Sequence, residues 1–223
     1  MLILKKQEIT TLVSHNLRTP LNQILGFCEL IRIDKESDII YVDKIESITK
    51  LQLQNLSELL VQLMVNTDLK QLENAPFDVN ELVKTELEVT NLAVAKKNIT
   101  VTLNLTEEKI TSNKNKNKIA LVVQNLISNA IKFSYRGQEI KISTLKKDNH
   151  IEIIVEDKGI GFSEAYSKNI FKDARNVGRE GTEKEPSVGL GLHLCKRTIN
   201  QLNGQLLAFS DGENKGATFK IIL

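Results

Sequence analysis

Tryptophan is absent and aromatic residues make up only 4% of the chain. That scarcity argues against a single-stranded nucleic-acid platform, which relies on rings that stack against bases. Only two cysteines occur, Cys28 and Cys195, far apart and each inside an apolar helical pattern. A disulfide scaffold is excluded, and buried thiols in a reducing cytoplasm are favoured over a bridge or a metal site. Charge of either sign is not in excess: 30 basic residues face 28 acidic ones. Such a balance gives no footing for nucleic acid or an anionic membrane. No apolar run approaches the roughly 20 residues of a membrane span. The opening Met1 to Lys6 also lacks the layout of a secretory signal. With 223 residues, 41% of them hydrophobic and 26% charged, the chain has room for one large or two small globular domains.

Of what is present, the stretch Ser14-His15-Asn16-Leu17-Arg18-Thr19-Pro20-Leu21 stands out. Around it Ile9, Leu12, Val13, Leu17, Leu21, Ile24 and Cys28 recur at steps of three and four, the pattern of one apolar helix face. At about 100° per residue, Val13 and Leu17 both lie about 200° from His15, which puts the imidazole on the wet side with Arg18, Thr19 and Asn22. Pro20 removes a helical hydrogen bond, yet the apolar rhythm continues to Ile31. A kinked helix accounts for this; a proline opening a second helix is the alternative.

After a polar break at Asp34–Asp38, the helical period resumes from Ile39 and ends near Leu69. Two helices with one apolar stripe each cannot enclose a core, so a second copy completing a four-helix bundle is expected. Residues 1–70 are thus read as a dimerising hairpin, 71–78 as a linker around Pro76, and 79–223 as a second domain. There the pattern turns mixed. Helices are expected near 80–95, 118–133 and 189–203, with strands at 99–103, 139–145, 151–156, 205–210 and 217–223. Residues 157–188 lack periodicity, and a long loop in a compact domain is commonly functional.

Three pieces of this domain carry chemistry. Asn125 and Asn129 are one helical turn apart, with Lys132 and Phe133 following. An amide oxygen suits Mg²⁺, which keeps its remaining positions for water and phosphate; the alternative is an exposed polar face. Asp157-Lys158-Gly159-Ile160-Gly161 follows an apolar strand. There a carboxylate can accept from an amino group while glycine permits a tight turn. Val188-Gly189-Leu190-Gly191 opens a helix, and backbone amides at a helix start can receive phosphate.

These pieces resemble, in order and spacing, the N, G1 and G2 boxes of the histidine-kinase ATP-binding domain, the fold shared with gyrase, heat-shock chaperones and mismatch-repair ATPases. The stretch around His15 is similar to the phospho-acceptor box of sensor histidine kinases. The resemblance implies an α plus α/β architecture: a helical hairpin forming a dimeric four-helix bundle, then a two-layer α/β sandwich with a mixed sheet. It implies ATP and Mg²⁺ as cofactors, Asn129 as metal ligand, Asn125 as its phosphate-side companion, and Lys132 on phosphate. Phe133 would lie against base or sugar and Asp157 would read adenine. Gly159, Gly161, Gly189, Leu190 and Gly191 would shape the pocket, and Thr218 of Gly216-Ala217-Thr218-Phe219 would support Asp157. The loop up to Val188 would form the lid, with Phe171 a reduced F box and Arg175 and Arg179 near the γ-phosphate. His15 would be phosphorylated and the group passed to an aspartate of a response-regulator receiver domain.

Two positions depart from the family. Asn16 stands where the family has an acidic residue able to take the imidazole proton, so slow phosphorylation or a base from elsewhere is expected. Pro186-Ser187 replaces the glycine-rich run before the G2 box. Thr19 matches the position that orients water for dephosphorylating the partner. A hydrolysing ATPase of the chaperone or repair type would need a carboxylate where Asn125 stands. A degenerate kinase serving as a dimeric, nucleotide-binding scaffold is the remaining alternative. With few turns ahead of His15, a truncated core or a kinase driven by a separate partner is expected.

Overall fold

A computed structural model describes residues 21–31, 40–49, 52, 75–172, 179–185 and 191–223. His15, Asn16, Thr19, Gly189 and Leu190 lie outside the described residues, as do Arg175 and residues 71–74 of the expected linker. The chain divides into two compact units, Met1–Leu60 and Val61–Leu223.

In the first unit, residues 21–31 (α1) and 40–49 (α2) are helical. The Phe27 and Tyr41 rings stack at 5.9 Å, and Lys44 Nζ lies 5.3 Å from the Phe27 centroid. Leu21, Leu25, Leu30, Ile40 and Val42 are all exposed. Cys28, expected to be buried, is exposed as well. Among the described residues nothing of the same chain covers that side of α1.

The second unit is a sheet with helices on one face. A two-residue ribbon, β1 (Phe77–Asp78) with β3 (Thr111–Ser112), flanks a five-stranded sheet. Its strands are β2 (Thr100–Leu105), β4 (Glu139–Lys146), β5 (Ile151–Asp157), β6 (Gln205–Phe209) and β7 (Ala217–Ile222), in the order β2-β4-β5-β7-β6. The β2–β4 pair is parallel and the others antiparallel, so the mixed sheet is as expected. Period-two burial explains the layering. Ile140, Ile142, Ile153, Val155, Leu206, Phe219 and Ile221 face the helices and are almost wholly buried. On the opposite face, charged neighbours such as Lys141–Glu156 and Lys220–Glu152 pair across strands.

Helix α5 (Lys116–Phe133) is the centre of the helical layer, packing on β5, on α3 (Val79–Val89) and on α7 (Gly191–Gln201). Ile119, Val122, Val123, Leu126, Ile127, Ala130 and Ile131 form its buried stripe, at steps of three and four. Asn115 caps it by accepting from the Lys118 amide at 3.0 Å. The helix expected at 80–95 is broken at Thr90 into α3 and α4 (Asn91–Lys96). Within the expected loop, Ser163 caps one short turn of helix, α6 (Glu164–Ser167).

Candidate functional site

Asp157 is the last residue of β5 and is only 9% exposed. Its Oδ1 accepts from the Gly159 amide at 2.9 Å and from the Ala217 amide at 3.2 Å. Both donors meet the same oxygen, which leaves Oδ2 for a ligand donor. Burial pushes the carboxyl up to about 6, against the two amide bonds that favour the charged form.

Thr218 does not supply the support expected of it. Asp157 pairs with Ala217 and Glu156 with Thr218 across the β5–β7 ladder. Alternation therefore places Thr218 on the sheet's other face, and the backbone amide of Ala217 does the holding.

Asn125 and Asn129 stand together on α5, the Asn129 amide nitrogen donating to Asn125 Oδ1 at 3.0 Å. Both are half-buried. That bond leaves the Asn129 carbonyl oxygen as the group that can take a cation. Gly191, at the start of α7, lies so close that a Cβ there would stand 2.7 Å from the Asn125 amide. The amide pair and the helix start expected to receive phosphate are thus in contact.

The turn after β5 meets the other end of the same helix. The Ile160 amide donates to the Phe133 carbonyl at 3.0 Å. A Cβ on Gly159 would stand 2.0 Å from that carbonyl oxygen, and one on Gly161 would stand 2.2 Å from the Gly212 carbonyl. Close backbone packing requires glycine at both positions. Gly161 (φ 54°) and Gly216 (φ 73°) also adopt left-handed backbone. Lys132 Nζ lies 5.5 Å from the Phe133 ring, both side chains being half-buried.

Arg179 donates to the Gly161 carbonyl at 2.7 Å and lies over the Tyr166 ring. It fastens residues 179–185 to the turn after β5. The Phe171 carbonyl lies 3.0 Å from His193 Nδ1 of α7. Three residues without a sequence signal also belong here. Lys97 and Thr182 bond the carbonyls at the C-terminal end of α5, and Glu185 bonds Lys97. A single lysine in a polar turn reads as solvated, so nothing in the sequence marks Lys97 as buried.

Among the described residues no group of three or more acidic, histidine or cysteine side chains could hold a metal. A cation here would rely on an amide oxygen and on phosphate, a donor set that fits Mg²⁺. No helix among the described residues is long and apolar enough to cross a membrane.

Comparison with known proteins agrees with this geometry. Residues 114–223 match the family described as histidine kinase-, DNA gyrase B-, and HSP90-like ATPase. The sensor protein GacS of Pseudomonas syringae pv. syringae is 27% identical over 90% of this chain. Histidine kinase 5 of Arabidopsis thaliana is 30% identical over 98% of it. The chain spans 23% and 26% of those two proteins' lengths. Among solved structures, full-length ShkA in complex with AMPPNP is similar over 97% of this chain and 45% of that one, at 21% identity and a TM-score of 0.71. The histidine kinase ThkA in complex with the response regulator protein TrrA is similar over 97% and 60%, at 23% identity and a TM-score of 0.66. Residues 114–223 are an ATPase domain of the histidine kinase, gyrase B and HSP90-like family, within a chain similar along nearly its whole length to sensor histidine kinases.

Proposed function

We propose that the chain is an ATP-dependent protein histidine kinase that phosphorylates His15 and passes the group to an aspartate of a response-regulator receiver domain. The observation that carries this reading is Asp157: a buried carboxylate with one oxygen engaged and the other left over, in the unit that also holds the Asn125–Asn129 pair. Oδ2 would accept from the adenine amino group. The Asn129 oxygen would hold Mg²⁺, whose role is to offset charge on the phosphates and align them. Lys132 would meet phosphate oxygens, and Gly191 leaves the start of α7 open to them. In the transfer step, an imidazole nitrogen of His15 attacks the γ-phosphorus of ATP. The N–P bond forms as the bond to the β-phosphate oxygen breaks, ADP leaves, and the imidazole gives up a proton.

Asn125 favours transfer over hydrolysis, because an amide cannot deprotonate water as a carboxylate can. Asn16 likewise cannot take the imidazole proton. Asn16→Asp is therefore expected to speed phosphohistidine formation, and an unchanged rate would dispose of the missing-base idea. That ThkA has been solved with a response regulator supports a receiver domain as the acceptor for this chain. Thr19, four residues after His15, would orient water for hydrolysis of the phosphorylated receiver, a phosphatase reaction.

Incubation with γ-labelled ATP tests the whole reading. Acid-labile label on the protein, absent from His15→Gln and chased onto a receiver domain, is the expected result. Free phosphate alone would mean hydrolysis, and neither product would leave a nucleotide-binding scaffold.

A further inference from the structure

The last carbonyls of a helix have no intrahelical donor and must find partners elsewhere. At the end of α5 they are met from distant segments. The Ile131 and Lys132 carbonyls accept from Lys97 Nζ at 3.0 and 2.8 Å. The Lys132 carbonyl also accepts from the Thr182 amide at 3.1 Å, and the Ser134 carbonyl from the Thr182 hydroxyl at 2.6 Å. Lys97 makes its third bond to Glu185 Oε1 at 2.8 Å, with a side chain only 4% exposed. All three ammonium protons are therefore placed.

Glu185 is held equally firmly. Its Oε2 accepts from the Glu183 amide at 2.7 Å, and its own carbonyl accepts from the Gly181 amide at 2.9 Å. Burial alone would raise its carboxyl, but the bonds from Lys97 and the backbone amides outweigh this and hold it below the usual range. Desolvating an ammonium is costly and needs full compensation. Here that compensation comes from the Glu185 carboxylate and two carbonyls, one of them belonging to the residue expected to meet phosphate.

We propose that Lys97, clamped by Glu185, is a positioning residue for Lys132 at the C-terminal end of α5, and so governs affinity for phosphate rather than for adenine. Lys97 fixes the backbone at Ile131 and Lys132, and thereby where the Lys132 side chain leaves the helix. Asp157 takes its support from Gly159 and Ala217 instead, neither of which bonds Lys97. The inference rests on the nucleotide reading above, and its test separates the two.

Affinities of the full chain for adenosine and for Mg²⁺·ATP are measured by ligand-induced amide shifts, in wild type, Lys97→Met and Glu185→Gln. Lys97→Met is expected to weaken ATP binding about tenfold or more, the scale of a lost charge-assisted contact, with adenosine binding within about twofold of wild type. Glu185→Gln keeps an acceptor for Lys97 and is expected to weaken ATP a few-fold, again sparing adenosine. Unchanged ATP affinity in folded Lys97→Met overturns the inference, as does an equal loss for both ligands, which a merely structural role would give. Should Lys97→Met fail to fold, the same two outcomes in the milder Glu185→Gln decide the matter. Wild-type protein that binds neither ligand overturns the nucleotide reading, and this inference with it.

Discussion

Asp157 occupies a place that does not suit a carboxylate. Its folded value near 6 stands above the ordinary 3.8, with burial the first cause. Between those two values the folded state holds more proton than the unfolded one, so stability falls as pH rises through that window and stays lowered above it. The cost above pH 6 is about 3 kcal/mol, the free energy of proton binding spanned between the two values. A charge kept at such a cost is a mark of function. Asp157→Asn keeps an oxygen for the Gly159 and Ala217 amides and removes the buried charge. We expect its Tm near neutral pH to equal or exceed wild type while ATP binding is lost. A clear fall in Tm with binding retained would mean that the carboxylate is structural. In wild type, ATP affinity should drop as pH falls through about 6, where Oδ2 gains a proton and ceases to accept. A binding titration across that range reads this directly. Asp157, Asn125 and Asn129 are legible in the sequence because each follows a pattern of fixed spacing. The Ala217-for-Thr218 exchange is not, since a single step of strand register moves a side chain to the other face.

Helix α5 joins the pieces of the site, the amide pair facing Gly191 and the far end bonded to the turn after β5. Its buried stripe makes it readable over nearly its whole length. It starts at Lys116, ahead of the expected Lys118, because Asn115 sits in an Asn/Lys run that masks its capping role. Short elements escape for a different reason: β1, β3 and α6 span too few residues to display a period. The α3–α4 break at Thr90 has a similar cause, because the apolar rhythm runs on across it. The end of α5 also yields a test. A methyl on Gly159 cannot coexist with the Phe133 carbonyl oxygen, a backbone atom only 2.0 Å from it. Gly159→Ala must push the turn away from the helix, at a cost of about 1–3 kcal/mol for overpacking. We expect lower denaturation midpoints together with weaker binding of adenosine as well as ATP, because the Gly159 amide is one of the two donors that hold Asp157. Wild-type stability in this variant would show that the approach can relax, and that glycine is there for another reason.

At the scale of the whole molecule, the hairpin leaves its own problem unsolved. On α1, Leu21, Leu25 and Cys28 share one face by their spacing, and all three are exposed, Leu25 to 60%. Ile24, Phe27 and Ile31 are only partly covered, Phe27 by its stack on Tyr41. Each leucine so left in water forgoes about 1.5–3 kcal/mol of burial. A second copy of the same hairpin can cover both stripes at once, since a two-fold interface sets the same patch against itself. The expected mass in sedimentation is therefore twice the 25.1 kDa of one chain. Leu21→Glu with Leu25→Glu would place charges in the centre of that seam and should yield the single-chain mass. The nucleotide site, formed within residues 75–223, should keep its affinity for adenosine in that variant. If the seam is the hairpin's means of stability, wild-type unfolding will shift to higher temperature with concentration, as coupled association requires. A wild-type chain that sediments as a monomer at every concentration would leave the exposed stripe without its second copy, and the four-helix bundle would have to be abandoned.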